Sequence, residues 1–122
     1  MRTFCFFLFA FICLSSYAKQ EQIVLTHHGP YHDRDGMPLY FDIPVAYHYY
    51  DDKTQEIIID GGGIVSYYDV EISTPVTNYV EISTQVDGTY DTFDISSLTP
   101  GSHVITIESP SGNIYEGIFT TY

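Results

Sequence analysis

The chain has 122 residues, with four lysines and arginines against sixteen aspartates and glutamates, a formal net charge of −12. Such a surface repels phosphate backbones and anionic lipid, which argues against nucleic acid and charged membrane surfaces as partners. The length fits a single domain, and the acids are scattered rather than gathered in a tail, so they read first as a solvated surface.

The first eighteen residues differ in kind from the rest. Arg2 supplies a positive start, Phe4 to Leu14 run without a polar side chain, and Ser15-Ser16-Tyr17-Ala18 follows. Small residues at Ser16 and Ala18 suit signal peptidase, so residues 1–18 are expected to be a signal peptide cleaved after Ala18. The apolar run is far short of the roughly 20 residues that a spanning helix needs, so no membrane span is expected after cleavage. Ile12 before Cys13 fits lipoprotein processing poorly. Both cysteines, Cys5 and Cys13, leave with the signal. The domain expected over residues 19–122 therefore holds together by its core, without a disulfide, in a secreted or periplasmic setting that would permit one.

After Ala18 the composition turns to Tyr, Ile, Val and Thr, the types that suit a half-buried pleated surface. Turn residues recur at the roughly 8–12-residue spacing of a sandwich or barrel. A first strand is expected at Gln22 to Thr26, followed by a loop from His27 to Pro38. Ile43 to Tyr50 reads as a strand whose early Pro44 suits a sheet edge. Glu56 to Asp60 follows the turn Asp51 to Thr54, and Gly61-Gly62-Gly63 ends it in a bend or bulge. Tyr67 to Thr74, Tyr79 to Val86 and Tyr90 to Ile95 are the next strands, with Asp87-Gly88 as a tight-turn signal. Beyond the corner Ser96 to Gly101, Ser102 to Glu108 and Ile114 to Thr121 form a last hairpin. Alternation selects Ile57, Ile59, Val70, Ile72, Ile82, Phe93, Ile95, Leu98, Ile105, Ile107 and Phe119 as the core of an antiparallel sandwich.

One segment is nearly duplicated. Val70-Glu71-Ile72-Ser73-Thr74 recurs as Val80-Glu81-Ile82-Ser83-Thr84. Pairing Thr74 with Tyr79 would set Ile72 against Glu81 and mix faces, because opposed residues share a face. Pairing Ile72 with Val80 or with Ile82 keeps the faces consistent, and so does placing the two strands in different sheets.

The stretch from Ile43 to Tyr122 resembles a family of short secreted Bacteroidetes proteins known only as a domain of unknown function. The resemblance is carried by Asp94-Ile95-Ser96-Ser97-Leu98-Thr99-Pro100-Gly101, by Val104-Ile105-Thr106-Ile107 and by Tyr115-Glu116-Gly117-Ile118-Phe119. It implies an immunoglobulin-like sandwich of about seven strands and no particular activity. His103 stands where such corners usually carry a tyrosine whose hydroxyl reaches back to the backbone. A weaker resemblance links the same corner and hairpin to C-terminal sorting domains of type IX secretion. Those tails usually end on a basic residue, whereas this chain ends on Tyr122.

Chemistry-bearing residues gather in one place. His27, His28, His32, Asp33 and Asp35 lie near Gly36 and could ligate Zn²⁺ or Ca²⁺. Asp33-x-Asp35-Gly36 is only a fragment of a calcium loop, and a polar surface loop is the plainer reading. No Gly-x-Ser-x-Gly elbow, no His-Glu-x-x-His and no phosphate-loop motif occurs, and no cysteine remains after residue 18. The chain is therefore expected to be a non-enzymatic module without a cofactor. A metal-dependent protein or hydrolase centred on the His27–Asp35 loop is the alternative. The better signal is aromatic: Tyr47, Tyr49, Tyr50, Tyr67 and Tyr68 flank one end of the strand region, and tyrosine offers rigid amphipathic area for protein or glycan in the cell envelope. If Ile43 to Tyr50 is a free edge, a partner could add a strand to it; the alternative is that Gln22 to Thr26 already covers it.

Overall fold

A computed structural model describes residues 18–28 and 43–122. Nine strands follow one another: β1 (Lys19–Ile23), β2 (Thr26–His28), β3 (Val45–Tyr50), β4 (Gln55–Asp60), β5 (Tyr67–Ser73), β6 (Val80–Asp87), β7 (Tyr90–Asp94), β8 (Gly101–Glu108) and β9 (Ile114–Thr121). They form two antiparallel sheets, ordered β1-β3-β4-β7 and β2-β9-β8-β5-β6.

The expected first strand is in fact two, one in each sheet. Val24 and Leu25 carry the chain across, and the step passes close over β9. Gly117 makes room for it: a Cβ there would stand 2.7 Å from both the Val24 carbonyl and Ile23 Cγ2. Glycine is used here for close backbone approach rather than for an unusual φ.

Between the layers lie Ile57, Ile59, Val70, Ile72, Ile95, Leu98, Ile105, Ile107 and Phe119, as alternation requires. Ile82 and Phe93 sit at the margin of this core and are only partly buried, because β6 and β7 are the outermost strands of their sheets. Ile23, Ala46, Tyr68, Val86 and Tyr115 complete the packed interior. The glycine run after β4 is a bend. Gly62 and Gly63 take φ of 67° and 81°, and Gly61 lies against the Gly88 carbonyl and Tyr68, leaving no space for a side chain.

The duplicated segment resolves through a bulge. Ile72 pairs with Ile82, but Ser73 pairs with Val80, so Glu81 is the extra residue on β6. The Thr74 amide still bonds the Tyr79 carbonyl at 3.0 Å. Both the register that keeps the faces consistent and the Thr74–Tyr79 link therefore exist, separated by one inserted residue.

The expectation of a free edge at Ile43 to Tyr50 is overturned. β1 pairs along the whole of β3 on one side, from Lys19 opposite Tyr50 to Ile23 opposite Ala46, and β4 pairs along it on the other. An interior strand has no unpaired ladder to offer, so strand addition at Tyr47 to Tyr50 is ruled out. The outermost strands are β1, β7, β2 and β6.

Candidate functional site

The tyrosines are distributed by strand parity, and parity separates them. On β3, Ala46 and His48 point into the sandwich and are buried, so Tyr47 and Tyr49 point outward. Register places Tyr47 beside Ile58 and Thr92, Tyr49 beside Glu56 and Asp94, and Val45 beside Asp60 and Tyr90. The outer face of the four-stranded sheet therefore carries Tyr47, Tyr49 and the 57 % exposed Tyr90 around the nearly covered Ile58, rimmed by carboxylates and by Gln20 and Gln22 of β1. Tyr49 donates to Asp51 Oδ2 at 3.2 Å, and that bond holds its hydroxyl pKa above the ordinary value.

Tyr50 shares the inward parity of His48 and sits at the end of the sandwich. Its ring lies 4.8 Å from Tyr122 and 4.9 Å from His48, and its hydroxyl donates to Glu21 Oε1 at 3.0 Å. Desolvation first, and then the Glu21 bond, push that hydroxyl up to about 12. His48 is buried in the same cluster, donating through Nε2 to Gln55 Oε1 at 3.1 Å. Gln55 in turn donates to the Tyr122 carbonyl at 2.7 Å and accepts from the Tyr122 amide at 3.3 Å, which holds Tyr122 against β4. Burial lowers the His48 pKa, with the Gln55 bond only partly offsetting it.

Tyr67 lies on the outer face of the other sheet, opposite Asp87, so it cannot join Tyr47 and Tyr49. Tyr68 must be withdrawn from the contact surface altogether. Its parity matches Val70 and Ile72, and it is fully buried in the core beneath Gly61. The five tyrosines thus occupy two outer faces, one end and the interior. What the sequence reading missed is Tyr90, which joins Tyr47 and Tyr49 only through the β4–β7 register.

Of the candidate metal ligands, His32, Asp33 and Asp35 lie outside the described residues. His27 and His28 are successive residues of β2 and so address opposite faces. His27 donates to Asn113 Oδ1 at 2.9 Å and packs on Tyr115 at 5.2 Å. His28 is exposed beside Ile114. Among the described residues no three histidines, cysteines or carboxylates stand close enough to hold a metal ion.

His103 replaces the corner tyrosine in function. Its Nε2 donates to the Thr99 carbonyl at 2.8 Å, the bond back to the corner that a tyrosine hydroxyl would make. Its Nδ1 lies 2.7 Å from Glu81 Oε1, and its ring stacks on Phe119 at 5.8 Å. Elsewhere, the outer face of the five-stranded sheet holds a polar groove of 650 Å³ with Asp69 directly opposite Glu108 and Glu71 beside Thr106.

No protein-family model matches the chain, and no curated protein matches it in sequence. Among solved structures the chain is similar to a DUF3244 family protein with an immunoglobulin-like β-sandwich fold from Bacteroides vulgatus ATCC 8482. The TM-score is 0.62 at 10 % identity, over 85 % of this chain and 100 % of that one. At that identity the likeness establishes the immunoglobulin-like sandwich and nothing of activity.

Proposed function

We propose that residues 19–122 act outside the cytoplasm, secreted or periplasmic, as a non-catalytic binding module that contacts protein or carbohydrate of the cell envelope. The observation that carries this reading is the outer face of the four-stranded sheet, where Tyr47, Tyr49 and Tyr90 surround Ile58. Aromatic rings supply contact area at low entropic cost, and the flanking glutamines and carboxylates supply hydrogen bonds that fix orientation. The scarcity of basic groups on a chain of net charge −12 favours neutral or basic ligands over phosphorylated or sulfated ones.

The experiment is capture of envelope proteins and polysaccharides from the producing cell on the immobilised intact protein. Replacing Tyr47 and Tyr49 together by Ala is expected to abolish capture, whereas Tyr67→Ala, on the opposite face, leaves it unchanged. Capture that survives the double substitution sinks the tyrosine face as the binding surface. Amino-terminal sequencing of the exported protein tests the processing, with Lys19 expected as its first residue.

A further inference from the structure

Strand β6, eight residues long, ends the five-stranded sheet, and among the described residues no strand pairs with its outer side. It contains no lysine, arginine or proline, the usual guards of such an edge. It carries two other devices instead: the bulge at Glu81, and the carboxylate that the bulge turns inward. An inward-pointing charge on an outermost strand is costly unless it is paired, and His103 pairs it.

The hydrogen-bond geometry suits a protonated ring facing an ionised carboxylate. Nε2 of His103 faces the Thr99 carbonyl, which can only accept, at 2.8 Å. Nδ1 faces the Glu81 carboxylate at 2.7 Å. The Thr121 hydroxyl donates to the same Thr99 carbonyl at 2.8 Å and offers its oxygen to Nε2 at 3.2 Å. Both ring nitrogens are satisfied as donors only in the imidazolium. The remaining neighbour, Phe119 of β9, is uncharged, and Glu81 supplies the one ion pair found among the described residues.

We propose that His103 and Glu81 form a proton-dependent latch that fastens edge strand β6 to the Thr99–Gly101 corner and opens when either charge is lost. This goes beyond the tyrosine face, which lies on the other sheet and does not depend on it. Loss of the ring proton sets a lone pair against a carbonyl or a carboxylate. Protonation of the carboxylate removes the counter-charge and leaves the imidazolium buried alone. Either change releases the bulged end of β6 from the corner.

The test is amide-exchange protection, corrected for the intrinsic pH dependence of exchange, followed by NMR in the intact protein alongside the His103 ring nitrogens. Protection across Val80–Asp87 is expected to fall about tenfold or more as the His103 signals lose their proton, the factor for one charge-assisted hydrogen bond. β8 and β9 should keep their protection over the same range, and Glu81→Gln should make β6 exchange independent of the His103 titration. Protection of β6 that does not follow His103, a neutral His103 ring where β6 is fully protected, or a loss running equally through β8 and β9 overturns the latch. Should Glu81→Gln not fold, the covariance of β6 and His103 in the unsubstituted protein decides.

Discussion

Single residues in this protein are constrained by what stands opposite them rather than by their own chemistry. Gly117 is the plainest case. Its φ is unremarkable, but the crossing from β1 to β2 occupies the space its side chain would need, and one of the obstacles is the Val24 main chain. Gly117→Ala is therefore expected to destabilise the fold by about 1–3 kcal/mol, the range for overpacking a filled site, measured by urea unfolding. His48 shows the same logic in charge. Its folded-state pKa is lowered by burial, so the native state favours the neutral ring. The stability this contributes is complete above the unfolded value of about 6.5 and is lost as pH falls through the lower folded value. The urea midpoint should decline on the acid side, and His48→Gln should flatten that decline; an unchanged slope would remove His48 as its cause.

At the scale of elements, β3 is the informative strand. Pro44 suggests an edge, and Pro44 does sit just before the strand, but β1 covers β3 from Lys19 to Ile23. A strand bonded on both sides tolerates no proline, because a ladder donor is lost and its acceptor left unpaired, so Tyr49→Pro is expected to cost about 1–3 kcal/mol or more. Amide exchange should be slow throughout Tyr47 to Tyr50; fast exchange at alternate positions would mean that β1 detaches in solution. β6 is the complementary case. Its sequence nearly copies that of β5, yet β5 is sandwiched between two neighbours while β6 has one. The same Val-Glu-Ile-Ser-Thr therefore gives a buried Ile72 and a partly buried Ile82, and a solvent-facing Glu71 but an inward Glu81.

Over the whole molecule, net charge works against compactness. Sixteen acids face four bases, and among the described residues only one acid, Glu81, has an ion-pair partner, a histidine, so self-repulsion is barely compensated locally. Added sodium chloride, which shortens the screening length to about 8 Å at physiological strength, should raise the melting temperature. A melting temperature that falls with salt would show that specific pairs outweigh the net repulsion. Composition and alternation were enough to give the all-β class, the position of most strands and turns, and the inward Ile57, Ile59, Val70, Ile72, Ile105, Ile107 and Phe119. These follow from local quantities: β-branched composition, alternation, and glycine or proline at the breaks. The family resemblance placed His103 at the corner position where a tyrosine is usual. Strand pairing in space was needed to show that the first strand divides between the sheets, that β3 is interior, and that Tyr47, Tyr49 and Tyr90 share a face while Tyr67 lies on the other sheet and Tyr68 inside. Parity tells whether a side chain points in or out, but not which outside it reaches. That depends on hydrogen bonds between segments far apart in the chain, and alternating apolar residues fit several such pairings equally well.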